Sequence, residues 1–113
     1  MTAIKIKQGE TYRKRIEMMY ADDREPVDLT GYTAYSELRD RPGGTLIATA
    51  DCSISAVEGV ITIIFSSAQT ENIAEGVYGM DVWIVSDEEK HPIYTNSVQI
   101  VKRYTNNLGD AND

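Results

Sequence analysis

The sequence is poor in the residue types that catalytic and metal sites use. It has one cysteine, Cys52, and one histidine, His91, among 113 residues. A zinc site made of cysteine and histidine needs about four such ligands, and nucleophilic catalysis needs a nucleophile beside a base and an orienting group. A single cysteine also excludes a disulfide within the chain, in agreement with synthesis in a reducing cytoplasm. We therefore expect no enzymatic activity, no bound metal and no cofactor.

Long apolar runs and a basic excess are lacking as well. No stretch approaches the roughly 18 apolar residues of a membrane-spanning helix. The start of the chain, MTAIKIKQGE, has no apolar segment of the kind that a signal peptide carries. The formal net charge is −7, whereas nucleic-acid-binding surfaces normally carry a basic excess. We therefore expect a protein that starts at or near Met1, is made in a cytoplasm, and binds neither membranes nor nucleic acid.

Short apolar segments recur about every ten residues, separated by turn residues. The clearest are Val60 to Phe65 and Val77 to Val85, and the sequence RPGGT at residues 41–45 is typical of a hairpin loop. The pattern predicts an all-β fold, an antiparallel immunoglobulin-like β-sandwich of seven to nine short strands with one short helical turn. We expect residues 1–104 to form this single domain and residues 105–113 to form a mobile C-terminal tail.

The helical turn is predicted between the two clearest strands. Ser66 and Gln69 have the spacing of a capping box, in which each side chain bonds to a backbone donor at the start of a helix. Ile73 is expected to pack this turn onto the core. The residues predicted to fill that core are Ile16, Met18, Leu38, Ile61, Ile63, Phe65, Tyr78, Met80, Val82, Val98 and Ile100.

The surface supplies the remaining candidate residues. Alternation along Val77 to Val85 places Trp83 beside Val85 on the face away from the core, and Val101 of the last strand is expected to join them. An apolar cluster around a tryptophan is a candidate protein contact. The alternative is a sheet face that a loop or the tail covers. Tyr104, just before the tail, is included in the predicted contact surface.

Charge is distributed unevenly along the chain. Basic residues concentrate near its start, and acidic residues concentrate between positions 71 and 89. This asymmetry predicts a complementary contact between neighbouring subunits of a homo-oligomer, the alternative being two solvated strand faces. The predicted members are Lys5, Lys7, Arg13 and Arg15 on the basic side, and Glu71 and Glu75 on the acidic side.

Three segments follow one another in an order found in a known family. They are PVDLTGYTAYSELRD at residues 26–40, GVITIIFSSAQTENIAEGVYGMDVWI at residues 59–84, and YTNSVQIVKRYT at residues 94–105. Together they resemble the small immunoglobulin-like domain of bacteriophage tail, baseplate and fibre-attachment proteins, as at the N-terminus of phage baseplate upper proteins. In the second segment, Gly76, Tyr78, Asp81 and Val82 match that family's Gly-x-Tyr-x-x-Asp-Val unit. The resemblance covers about residues 5–104 and brings no catalytic residues with it.

The resemblance implies a bacteriophage virion structural protein, a small adaptor, collar, decoration or fibre-anchoring subunit that acts by protein–protein contacts. Its partners would be other copies of itself and other virion proteins of the capsid, tail or fibre. The protein would be made in the host cytoplasm and would reside in the virion. A generic carbohydrate- or protein-binding β-sandwich module is the alternative that the residues themselves leave open.

Overall fold

The computed structural model describes residues 3–109 and consists mainly of β-strands. The strands in this range are β1 (Ile4–Lys7), β2 (Tyr12–Glu17), β3 (Thr33–Arg39), β4 (Leu46–Thr49), β5 (Asp51–Ser55), β6 (Val60–Phe65), β7 (Gly76–Val85) and β8 (Lys90–Val101). One short helix, α1 (Ser67–Glu71), lies between β6 and β7. The predicted all-β fold with a single short helical turn is therefore confirmed. Of the predicted tail, residues 105–109 are exposed and contain no strand, and residues 110–113 lie outside the described residues.

The strands form two sheets. The large sheet has the order β1-β8-β7-β3-β4, and the small sheet has the order β2-β6-β5. Neighbouring strands are antiparallel except β1 and β8, where Ile4 pairs with Val98 in parallel orientation. The chain passes from one sheet to the other at Ala50, which is buried and donates its backbone N–H to the Ser36 carbonyl at 3.0 Å.

Inward-facing residues of both sheets meet in one apolar core. Of the predicted core residues, those that are buried are Leu38, Ile61, Ile63, Phe65, Met80, Val82, Val98 and Ile100. Ile16, Met18 and Tyr78 pack against this core and are partly buried. Ile6 of β1 and Leu29 of the loop before β3 are each 1% exposed and also belong to this core, although they were not among the predicted core residues. Each such burial contributes about 1.5–3 kcal/mol.

Helix α1 turns the chain from the small sheet to the large one. The Ser66 side chain accepts a hydrogen bond from the Gln69 N–H at 3.2 Å, and the Gln69 side chain accepts one from the Ser66 N–H at 2.8 Å. The predicted capping box is thus confirmed. Ile73 is 4% exposed, so it packs the turn onto the core as expected.

Polar side chains tie α1 to the turn between β1 and β2. Thr70 of α1 is fully buried, and its hydroxyl donates to the Glu10 carbonyl at 2.7 Å and accepts from the Gly9 N–H at 3.1 Å. The Arg103 guanidinium donates to the Gln8 carbonyl at 3.0 Å, and its Nη2 lies 3.0 Å from a carboxylate oxygen of Glu71. We call α1, the turn at residues 8–10 and Arg103 the corner.

The hairpin between β3 and β4 has the predicted tight turn. The Gly44 N–H donates to the Arg41 carbonyl at 2.8 Å, which closes a four-residue turn at residues 41–44. Gly43 has a φ of 69°, a conformation that glycine adopts without steric cost. The hairpin therefore stands at one end of β3, beside the outer face of the large sheet.

Candidate binding cleft on the large sheet

An open cleft of about 400 Å³ lies on the outer face of the large sheet. Strands β3 and β7 form most of its floor, with Thr95 of β8 on one side and the hairpin residues Arg41, Pro42 and Gly43 on the other. We call this the cleft. Its chemistry is set by side chains that point away from the core.

Strand register arranges these side chains in three rows across β3 and β7. The rows are Tyr35 with Trp83, Glu37 with Asp81, and Arg39 with Gly79. Directly opposite residues have Cβ atoms about 4.5–5.5 Å apart, so each row is a contact pair. The cleft therefore holds an aromatic row, a carboxylate row, and a third row in which only Arg39 has a side chain.

Gly79 gives the cleft its depth. A Cβ atom placed on Gly79 would meet no heavy atom within 4 Å, apart from its own chain neighbours. Any larger residue would extend into this free space. The absence of a side chain at this position therefore keeps the cleft open next to the carboxylate row.

The two carboxylates of the central row have different surroundings. Arg39 donates from Nε and Nη2 to the same oxygen of Glu37, at 3.0 and 2.8 Å, and from Nη1 to the Gly44 carbonyl at 2.7 Å. Glu37 is thus ion-paired with its neighbour. Within residues 3–109, by contrast, the Asp81 carboxylate has neither a hydrogen bond nor an ion pair, and the Ser36 hydroxyl donates to the backbone carbonyl of Asp81 at 2.8 Å. Asp81 is the uncompensated charge of the cleft.

The aromatic row is open to solvent on one side. Tyr35 is 56% exposed, and Trp83 is partly buried. Opposite Trp83, β8 carries Pro92 at a register shift, where a missing backbone N–H is tolerated. Tyrosine and tryptophan with partly exposed rings are characteristic of binding surfaces.

Sequence reasoning found Trp83 but missed the rest of this cleft. Tyr35, Glu37 and Arg39 share one face of β3, and Asp81 and Trp83 share one face of β7, so alternation alone could have grouped each set. It could not have brought the two sets together, because that depends on the register of β3 and β7, whose paired residues are 40 or more positions apart in the chain.

The predicted apolar cluster is only partly assembled. Trp83 and Val85 lie on the same outer face of β7, as expected. Val85 pairs with Lys90, whereas Val101 lies beyond Gln99, which pairs with Val77 at the other end of β7. Val101 therefore does not join the other two, and the expectation that it would is wrong. Tyr104 is 99% exposed and follows the last strand.

The predicted basic side is divided between two faces of the molecule. Lys5 and Lys7 point outward from β1 in the large sheet, whereas Arg13 and Arg15 point outward from β2 in the small sheet. Arg15 also forms an ion pair with Glu17 of the same strand. Because β1 and β2 belong to different sheets, their cations do not form one patch.

The two residues of the predicted acidic side have different surroundings. Glu71 pairs with Arg103 in the corner, and Glu75 is exposed in the segment before β7. The predicted contact between a basic and an acidic surface of neighbouring subunits stays a prediction. Oligomer formation as such stays a prediction.

Cys52 and His91 have different surroundings and share no contact that would make a catalytic or metal site. Burial raises the pKa of the Cys52 thiol, and the charge of Asp51 raises it further. His91 is exposed, with Nε2 3.7 Å from Glu89. Residues 3–109 contain no group of three His, Cys, Asp or Glu side chains placed to hold a metal ion. In the same range, no helix has the length and apolar content to cross a membrane.

Comparison with known proteins finds similarity in structure but not in sequence. No protein-family model matches the chain, and no curated protein matches it in sequence. Among solved structures, the N-terminal domain of phage TP901-1 ORF48 aligns with 89% of this chain and 84% of its own chain. The TM-score is 0.45 and the sequence identity is 10%.

Proposed function

We propose that this chain is a bacteriophage virion structural protein, a small immunoglobulin-like sandwich that acts through protein–protein contacts and has no catalytic activity. Its role would be that of an adaptor, collar, decoration or fibre-anchoring subunit. The observation that carries the proposal is the strand order, because it agrees with the fold that the sequence resemblance implies.

In immunoglobulin sandwiches, the first, second, fifth and fourth strands form one sheet, and the third, sixth and seventh form the other. Here β4 is an additional strand at the edge of the large sheet, so β5, β6, β7 and β8 correspond to the fourth, fifth, sixth and seventh strands of that fold. The small sheet, β2-β6-β5, then matches the second, fifth and fourth strands, and β8-β7-β3 of the large sheet matches the seventh, sixth and third. The two orders agree if β1, the first strand, is paired with the last strand instead of with β2. Its parallel pairing with β8 supports this assignment.

Tyr78 supports the same arrangement. Its hydroxyl donates to the Ala74 carbonyl at 2.7 Å, just before the chain enters β7. A tyrosine near the start of the sixth strand, bonded back to the upstream backbone, is a feature of immunoglobulin sandwiches. Tyr78 is also one of the residues in the Gly-x-Tyr-x-x-Asp-Val unit.

The segment at residues 26–40 has a folding role that fits the resemblance. Leu29 is 1% exposed and accepts a hydrogen bond from the Tyr32 N–H at 3.0 Å, which starts β3. The hydroxyl and N–H of Thr30 both donate to the Asp28 carboxylate, at 2.6 and 3.0 Å, and hold its pKa below the usual value. This motif therefore shapes the entry into β3.

Sheet edges supply one reason to expect a partner. The edge strands of the described sheets are β1, β4, β2 and β5, and unpaired edges favour pairing with another chain unless they are blunted. On β2, Lys14 points inward with its Nζ 5.0 Å from the ring centre of Tyr94, and an inward charge is one way to blunt an edge. Edges without such a device remain available to another subunit.

A second function is favoured by the cleft. An exposed tyrosine beside a tryptophan, next to carboxylates, is also the chemistry of a carbohydrate- or protein-binding module that works outside a particle. The two functions make different predictions about where the protein is found.

Mass spectrometry of gradient-purified phage particles tests the proposal. The expected result is co-purification of the protein at a copy number that fits a symmetric ring, vertex or fibre set. Absence from particles that contain the capsid and tail proteins in full would reject the virion role. Absence from particles together with retention on an immobilised polysaccharide would favour the second function.

A further inference from the structure

We propose that the cleft binds an arginine side chain presented by another protein, with its guanidinium against the Asp81 carboxylate and the rings of Trp83 and Tyr35. The inference names the chemistry of a partner and rests on the proposed role as a subunit that acts by protein–protein contacts. It follows from charge, ring chemistry and available space at one place on the large sheet.

The Asp81 carboxylate gives a cationic partner a place to bind. Asp81 lies directly opposite Glu37, and like charges at opposite positions of neighbouring strands repel each other. Arg39 is already bonded to Glu37 and to the Gly44 carbonyl. The other arginine of the lining, Arg41, has its Nη1 3.4 Å from Asp40. No cation of residues 3–109 pairs with Asp81, so its carboxylate is open to a cation from a partner.

The neighbouring rings favour arginine among the biological cations. A guanidinium is planar and stacks on aromatic rings, while its N–H groups bind a carboxylate through two parallel hydrogen bonds. Asp81 and Trp83 point to the same face of β7, and Tyr35 lies opposite Trp83. One guanidinium can thus meet the carboxylate with its edge and a ring with its face.

Space for the side chain is present beside these groups. The cleft encloses about 400 Å³, within the range of roughly 300–1,000 Å³ that is usual for ligand pockets. Gly79 leaves free volume next to Asp81. A sugar would also stack on the rings and could donate hydroxyl hydrogen bonds to Asp81, but only a cation would neutralise its charge, so the charge favours a cationic partner.

The chain provides its own probe for this site. Trp83 is the only tryptophan, so its fluorescence reports directly on the cleft. We would titrate the intact protein with acetyl-Gly-Arg-Gly-amide and with the same tripeptide containing citrulline, which keeps the shape of arginine and removes its charge. Ionic strength is held constant, because screening weakens exposed charge contacts. The expected result is a saturable signal with arginine and at least tenfold weaker binding with citrulline.

Two variants test the assignment of the cation to Asp81. Asp81→Asn should weaken binding of the arginine peptide at least fivefold while leaving Trp83 in place as reporter. Asp51→Asn is the matched control, because Asp51 points outward from β5 in the small sheet, opposite Ile64. Its binding should be unchanged. Circular dichroism of both variants confirms that each is folded.

Four results of the binding experiments would overturn the inference. They are equal binding of the arginine and citrulline peptides, equal binding by Asp81→Asn and wild type, a saturable response to an oligosaccharide such as maltotriose without one to arginine, and no saturation up to about 50 mM arginine peptide. Light scattering of the protein alone tests whether a second copy of the chain occupies the cleft. A dimer that dissociates in Asp81→Asn would mean that a second copy fills the cleft, which also overturns a separate partner.

The test is independent of the virion role. Arginine binding by a protein that is absent from particles would keep the cleft assignment and reject the structural role. Co-purification with particles in the absence of arginine binding would do the reverse.

Discussion

The corner and the cleft place polar side chains beside the same core, but they differ in how those side chains are paired. In the corner, Thr70 is fully buried and its hydroxyl bonds to two backbone groups, while Arg103 joins a carbonyl and a carboxylate. In the cleft, Asp81 has no side-chain partner within the described part of the chain. The polar side chains of the corner are thus paired within the domain, whereas the Asp81 carboxylate of the cleft is open to a partner.

This difference in pairing separates a region where every polar side chain has a partner from one where, among residues 3–109, a charge is left unpaired. Buried polar networks stabilise a fold when every member is bonded, and the corner meets this condition. Sites that serve a partner commonly violate one such rule and are tolerated because the rest of the fold is consistent. The like-charged pair of Glu37 and Asp81 is such a violation. Mutations in the two regions should therefore affect stability differently.

The largest difference in stability between the two regions is expected when a threonine hydroxyl is removed from each. Thr70→Val keeps the shape of the side chain but leaves the Gly9 N–H and the Glu10 carbonyl without their partner, which should cost about 2–3 kcal/mol of unfolding free energy. Thr95→Val, at an exposed position beside the cleft, should change stability by less than about 0.5 kcal/mol. Urea unfolding of both variants measures the difference. Equal losses would contradict the contrast between the two regions.

A smaller effect is expected from removing an arginine. Arg103→Met should lower the unfolding free energy by about 1–2 kcal/mol, because the Gln8 carbonyl and Glu71 lose a charged donor. Arg13→Met is the control, since Arg13 is exposed on β2, and it should change stability by less than about 0.5 kcal/mol. Urea unfolding at low and high salt provides the measurement. A loss that vanishes in high salt would show that only the ion pair, and not the bond to the Gln8 carbonyl, contributes.

Neutralising a carboxylate should raise the unfolding free energy in the cleft and lower it in the corner. Asp81→Asn removes repulsion from Glu37 and should raise stability by up to about 1 kcal/mol. Glu71→Gln removes an ion pair with Arg103 and should lower stability by up to about 1 kcal/mol. Thermal unfolding at low ionic strength compares the two variants. Two changes of the same sign would argue against the uncompensated charge at Asp81.

The smallest effect is a pH dependence next to the corner. Burial raises the pKa of Tyr12, and Tyr94 and Glu10 raise it further. The folded state therefore favours the neutral phenol, so the stabilisation is present below the ordinary pKa of 10.0 and is lost as the pH rises above it. Urea midpoints between about pH 9 and pH 11 should fall less steeply for Tyr12→Phe than for wild type. Parallel curves would show that Tyr12 does not contribute.

Local patterns predicted most of the fold, and long-range pairing decided most of the site. Spacing within a few residues determines the capping box at Ser66 and Gln69 and the core face of β7. Such spacing can be read from the sequence alone. The separation of Lys5 from Arg13 depends on which sheet each strand joins. The distance between Val101 and Trp83 depends on the register of β7 and β8. Neither can be derived from alternation within one strand.

The parallel pairing of β1 with β8 has a consequence for the growing polypeptide. Since Ile4 pairs with Val98, β1 leaves the ribosome long before its partner strand has been synthesised. Pairings between distant parts of a chain form slowly and expose unpaired strands in the meantime. Lys5 and Lys7 alternate with Ile4 and Ile6 in this waiting strand, and charges placed there act as gatekeepers against aggregation. The two lysines thus protect the chain before the sheet exists.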